Sequence, residues 1–124
     1  MALTIANEVK KAALDGITAL LNSGQFRLLT GGSSELAMPT FGATAFGAAT
    51  TASPSVATAN ALTADATITA GTIGLFDLRT SGGVSRIAGT VGVGSGDLQV
   101  SDNVIPGSAT SVNVTSFTLS LQIT

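Results

Sequence analysis

Residues Gly94 to Thr124 read GSGDLQVSDNVIPGSATSVNVTSFTLSLQIT, and this stretch decides the fold. Val112 and Val114 alternate with polar residues, and Phe117, Leu119, Leu121 and Ile123 then do the same. Alternation with a period of two marks a strand with one face buried and the other in water. The apolar set moves from even to odd positions across Thr115-Ser116. A straight strand with that pattern would turn half of its apolar residues to solvent, so a bulge or bend is expected there. A dozen residues of strand span roughly 40 Å at about 3.4 Å each, enough to serve both halves of a small sandwich.

Working back from this stretch, the same texture recurs. Gln25 to Thr30 (QFRLLT) reads as a strand with Phe26 and Leu28 on one face, ended by Gly31-Gly32. Glu35 to Thr40 reads as another, confined by Pro39 to an edge or a strand end. Phe41 to Pro54 is an irregular loop anchored by Phe41 and Phe46, and loops of this length are often functional or interfacial. Ser55 to Thr63 alternates Val56, Thr58, Asn60 and Leu62 against Ala57, Ala59 and Ala61, giving a strand with one small-residue face. From Ala66 to Arg79 the apolar parity changes twice, with Gly71 and Gly74 placed to make the irregularities. Thr80-Ser81-Gly82-Gly83 is a hairpin turn, because glycine supplies the positive φ that such turns need. It returns the chain into Val84 to Val93. Gly92 to Gly96 turns it again into Asp97 to Val100, and two turn clusters bracket Val104-Ile105.

The sole predicted helix covers residues 4–22. Ile5, Val9, Ala13, Ile17 and Leu20/Leu21 recur at three- and four-residue spacing, with Leu14 widening the stripe. Glu8, Lys11, Asp15, Thr18 and Asn22 form the opposite polar stripe. Thr4 is the expected N-cap, and Gly24 the expected left-handed residue that ends the helix. Gly16 costs the helix about 1 kcal/mol relative to Ala, so tertiary packing has to stabilise it. The apolar stripe either packs on the protein's own sheets or docks at a subunit interface. The expected class is therefore mainly β, an antiparallel β-sandwich or jelly-roll-like domain with one N-terminal α-helix. It forms a single domain over 1–124, with the amphipathic helix in 1–24 and the sandwich in 25–124.

Composition bounds the function. Charged residues make up 10% of the 124 positions, against about 25% in ordinary domains. Of five basic and seven acidic residues, Glu8, Lys10, Lys11 and Asp15 fall in the first fifteen positions. A β domain this poor in charge has few devices for protecting its edges. Either much of its surface is covered by copies or a partner, or Ser and Thr hydroxyls hydrate it. With no His and no Cys, a Ser-His-Asp triad, a Cys-His pair and a thiolate or imidazole zinc site are excluded. No catalytic residue, metal ligand or cofactor is expected. A net charge of −2 without clustered Lys and Arg argues against nucleic-acid binding. No secretory signal is expected, and the charge-free run Leu36 to Ala64 is too rich in Thr, Ser, Ala and Gly for a membrane span. Gly92-x-Gly94-x-Gly96 lacks the Lys-Ser/Thr of a phosphate cradle and reads as a turn. Asp97, Asp102 and Asn103 match no calcium-loop spacing and read as solvated turn residues. Arg79 and Arg86 flank the hairpin turn, with Asp77 as counter-charge in a surface cross-strand pair.

The run from Phe46-Gly47-Ala48 through Val56-Ala-Thr-Ala-Asn-Ala-Leu62 to Gly74-Leu-Phe-Asp-Leu-Arg79 resembles a group of small tailed-phage and prophage virion proteins. So do Val91-Gly-Val-Gly-Ser-Gly-Asp-Leu98, Val104-Ile105 and Val112 to Leu121. The likeness spans essentially the whole chain, and its motifs are glycine turns and alternating strands. The chain departs from the pattern at Gly31–Ser34, a short Gly-Ser segment in place of a longer Pro/Ala-rich one. The resemblance implies a structural component of the particle, a capsid decoration (cement) protein on the capsid surface that is made in the bacterial host cytoplasm. Its implied partners are copies of itself, a homotrimer first and a dimer second, and the major capsid protein. A tail or fibre component and a host-surface-binding module are the alternatives. The interface residues expected on this reading are Ile5, Val9, Ile17, Leu20 and Leu21 of the helix, and Phe41 and Phe46 of the loop.

Overall fold

Residues 4–122 are described by a computed structural model. The chain is mainly β with a single helix, and its sheets are predominantly antiparallel. Helix α1 spans Asn7–Ala19. Nine strands follow among the described residues: β1 (Gln25–Leu29), β2 (Glu35–Ala37), β3 (Ser55–Thr58), β4 (Gly71–Thr72), β5 (Leu75–Arg79), β6 (Ser85–Gly92), β7 (Leu98–Gln99), β8 (Val104–Ile105) and β9 (Thr118–Leu121). A five-stranded sheet runs β2-β1-β5-β6-β7, and two ribbons, β3-β9 and β4-β8, complete the structure.

Alternation explains the main sheet. Phe26 and Leu28 of β1 stand opposite Leu78 and Phe76 of β5, and all four are buried. Their neighbours Arg27 and Asp77 face the other way, in register. Pro39 lies just beyond the edge strand β2, as its missing N–H requires. The β5–β6 hairpin closes where expected, with Gly83 at φ +79°. Beyond it the topology departs from simple antiparallel pairing. After a five-residue loop (Val93–Asp97), β7 returns parallel to β6, with Val91 opposite Leu98 and Gly92 opposite Gln99. The Asp97 carboxylate fixes that loop by accepting from the N–H and hydroxyl of Thr90 at 3.0 and 3.1 Å.

The long C-terminal strand is divided. Val112 bridges Asp65, the pairing lapses, and the chain re-enters as β9 against β3. The break falls where the apolar parity changes, which the Thr115-Ser116 bend anticipates. Ile123, the last member of the alternating set, lies outside the described residues. Phe117 begins the second pairing and faces the main sheet, its ring centroid 5.0 Å from that of Phe26 in an edge-to-face contact. Phe76 lies 6.4 Å from Phe117, and Phe41 and Phe46 pack beside them. All five phenylalanines of the chain therefore lie in one core cluster. The layer opposite the main sheet is narrow, a two-stranded ribbon against five strands.

The helix boundaries differ from expectation. Ala6, not Thr4, is the N-cap, and no side-chain cap bond forms there. At the other end Ser23, with φ +56°, takes the left-handed position assigned to Gly24. Gly24 is required for a different reason: a Cβ there would sit 2.1 Å from the Arg79 carbonyl oxygen, where the chain enters the sheet. The strand expected over Ser55 to Thr63 stops at Thr58. Its small-residue face is inward as read, with Ser55 and Ala57 buried.

Candidate interaction surface

Helix α1 packs chiefly on β3, with a lesser contact to β9. Its roll is the unexpected feature. The buried line is Lys10, Leu14, Thr18 and Leu21: of the expected stripe Leu21 and the widening Leu14 are buried, Ile5 and Ile17 are half-buried, and Val9, Ala13 and Leu20 are exposed. Val9 is 56% exposed and Leu20 52%, and Ala12, Ala13 and Gly16 are exposed between them. Nothing lies within 4 Å of where a Gly16 Cβ would be. An apolar and small-residue ridge at three- and four-residue spacing thus faces solvent.

Polar anchors fix that roll. The buried Lys10 passes its stem along the core side and donates from Nζ to Ser53 Oγ at 2.9 Å. Thr18, assigned to the polar stripe, is buried and donates its hydroxyl to the Asp15 carbonyl at 3.2 Å. The Asp15 carboxylate accepts from the Ala49 N–H at 2.8 Å and from Lys11 Nζ at 2.6 Å. Asn22 accepts from the Ala45 N–H at 2.9 Å. Loop 41–54 is therefore tied to α1 at two points, Lys10 and Asp15, and to the turn that follows it at a third, Asn22, and the two helix bonds are lost if the helix turns over. The Lys11 hydrogen bond, and then that from Ala49, holds the Asp15 carboxyl below the ordinary range.

Of the residues the sequence nominated for an interface, the structure leaves Val9 and Leu20 exposed and Ile5 and Ile17 half-buried. Leu21, Phe41 and Phe46 are core residues at 0%, 4% and 5% exposure. They cannot dock a partner without leaving the core, and are corrected to structural roles. The aromatic anchoring of loop 41–54 predicted from Phe41 and Phe46 does hold.

Most other carboxylates are occupied in local structure, whereas the buried Gln25 Oε1 has no hydrogen-bond partner. Asp65 accepts from the N–H groups of Met38 and Thr67, both at 2.8 Å. Asp77 accepts from Ser85, and Asp102 from the Val104 N–H at 3.0 Å. Asn103 donates to the Ile73 carbonyl at 3.1 Å. Arg79 does not face Arg86: its Nη2 and Nε donate to the Gly83 carbonyl at 2.6 and 3.0 Å, and Asp77 lies 3.8 Å away. Asp77 is thus the counter-charge of Arg79, but along one strand, and between strands Arg27 pairs with Glu35 at 2.7 Å. Thr90's backbone and then its hydroxyl hold the Asp97 carboxyl below the ordinary range. Among the described residues no three carboxylates gather into a metal-holding group. No helix among them is long and apolar enough to cross a membrane. Three recesses of about 440–570 Å³ lie among the described residues, two of them flanking the C-terminal third of the chain. One is a cleft of about 500 Å³ floored by Leu28, Ile73, Val91 and Ile105. The other is a groove of about 570 Å³ between β9 and the β5–β6 face.

Comparison with protein-family models, curated proteins and solved structures found no match for this chain.

Proposed function

We propose that this protein is a structural component of a tailed-phage virion, a capsid decoration protein that stabilises the head shell by bridging capsomers. The observation that carries this reading is the outward apolar ridge of α1, held in place by buried polar anchors on a chain with few charges. An exposed apolar face on a helix whose inner side is fully engaged is suited to burial against another molecule. The resemblance of the glycine turns and alternating strands to small virion proteins supplies the setting. The mechanism is mechanical. Each copy adds association free energy across a boundary between capsomers, and repetition over many sites multiplies it. The partners on this reading are further copies of the chain, a trimer before a dimer, and the major capsid protein.

Because Leu14 and Leu21 belong to the core, substitutions on the outer ridge, not removal of the helix, test the idea. Val9→Ser with Leu20→Ser is expected to shift the folding free energy by no more than about 0.5 kcal/mol, as exposed positions do. The same pair is expected to abolish retention on emptied, expanded capsids in co-sedimentation. Retention at wild-type stoichiometry would overturn the assignment of the ridge. A cryo-electron microscopy map of particles with no density for this chain on the shell would overturn the decoration reading itself.

A further inference from the structure

We infer that the groove beside β9 is a vacant strand position, filled by residues 1–6 of a second copy of this chain. Three observations converge. First, β9 pairs only with β3, so its outer edge offers unpaired backbone groups along Thr118–Leu121. That edge carries no charge, proline or bulge, the usual devices that keep strands from adding to it. Second, the facing layer stops one strand short. Phe117 covers Phe26 and Phe76, but Ile87 of β6 and Leu98 of β7, which line the groove beyond β9, are only half-buried. A strand laid along β9 would cover both and bond to its edge, the mode called β-augmentation.

Third, the chain contains a segment whose pattern fits that position, residues 1–3 of it lying outside the described residues. Residues 1–6 read MALTIA, with Met1, Leu3 and Ile5 alternating against Ala2, Thr4 and Ala6, and no charge. The large set matches an apolar floor and the small set suits the outer face. Six extended residues span about 20 Å, against about 17 Å for the Ser116–Ser120 wall of the groove. Ala6 already has extended backbone angles, φ −65° and ψ 150°. Thr4 to Ala6 do not line the groove of their own molecule and lead directly into α1, and the donor we assign is a second copy's. An uncharged strand also brings no ion against Phe76 and Phe117, which would be costly to desolvate. The inference rests on the self-association within the function proposed above, but it is read from the isolated protein without capsids, so the two can fail separately.

The chain has no cysteine, so introduced cysteines report on a clean background. Leu3→Cys and Ile87→Cys variants, purified separately, are mixed and oxidised. A disulfide-linked dimer is expected, because the two Cβ atoms would come within bonding range across the floor. Leu3→Cys mixed with Val84→Cys, at the exposed hairpin turn, is expected to give none. By sedimentation velocity the wild type is expected to be oligomeric and Leu3→Asp to run as a monomer with an unchanged far-UV circular dichroism spectrum. A monomeric wild type, a cross-link to Ile87→Cys no stronger than to Val84→Cys, or a cross-link found only within a single chain carrying both cysteines would each overturn the inference.

Discussion

One side of this molecule is closed and the other is open. On the closed side β1 and β5 bring Phe26 and Leu78, both 0% exposed, under the rings of Phe41, Phe76 and Phe117. On the open side the same sheet continues into β6 and β7, where Ile87 and Leu98 are half covered and Val93, just past β6, is 57% exposed. Both sides are built from the same kinds of residue and differ in what lies opposite. The lesson is that exposure here follows the width of the covering layer, not local hydrophobicity. The outer ridge of α1 makes the same point, since Val9 is more apolar than Lys10 and far more exposed.

The sharpest way to break the contrast is on the closed side. Phe26→Ala removes the ring that touches three others and is expected to cost about 3–5 kcal/mol, read as a fall in the urea midpoint or as failure to fold. Next is Gly24→Ala, whose Cβ would press on the Arg79 and Leu21 carbonyl oxygens at 2.1 and 2.7 Å. Backbone cannot yield cheaply, so a loss of about 1–3 kcal/mol is expected in the same measurement. On the open side Ile87→Ala is expected to cost only about 1 kcal/mol in the isolated monomer, because half of the side chain is already in water. A loss equal to that of Phe26→Ala would erase the distinction.

The smallest effect is electrostatic. The Asp15 carboxyl titrates lower in the folded protein than in the unfolded chain. Its contribution is therefore fully present above the unfolded pKa near 4 and is lost as pH falls through the folded value. Urea midpoints of the wild type and Asp15→Asn, compared from pH 7 down to pH 2.5, are expected to converge on the acid side. A gap that stays constant over that range would mean that Asp15 holds loop 41–54 through geometry alone.

Much of this was legible in the residues. QFRLLT placed Phe26 and Leu28 inward, Pro39 sent β2 to an edge, and TSGG closed the β5–β6 hairpin. The change of parity at Thr115-Ser116 marked where the last strand divides. The helix shows where such reading stops. Its apolar residues wrap most of the circumference, so periodicity could not choose between the Val9 and the Leu14 faces. Interface assignments for Leu21, Phe41 and Phe46 failed because burial against distant strands leaves no local trace.

By itself the sequence determined the class of fold and the position of nearly every turn, because alternation and glycine chemistry act within a few residues of the backbone. Only the tertiary structure decided the roll of α1, the parallel return of β7 and the open flank of β9. Those depend on partners far apart in the chain: Lys10 with Ser53, Asp15 with Ala49, and a ribbon too narrow to cover the sheet it faces.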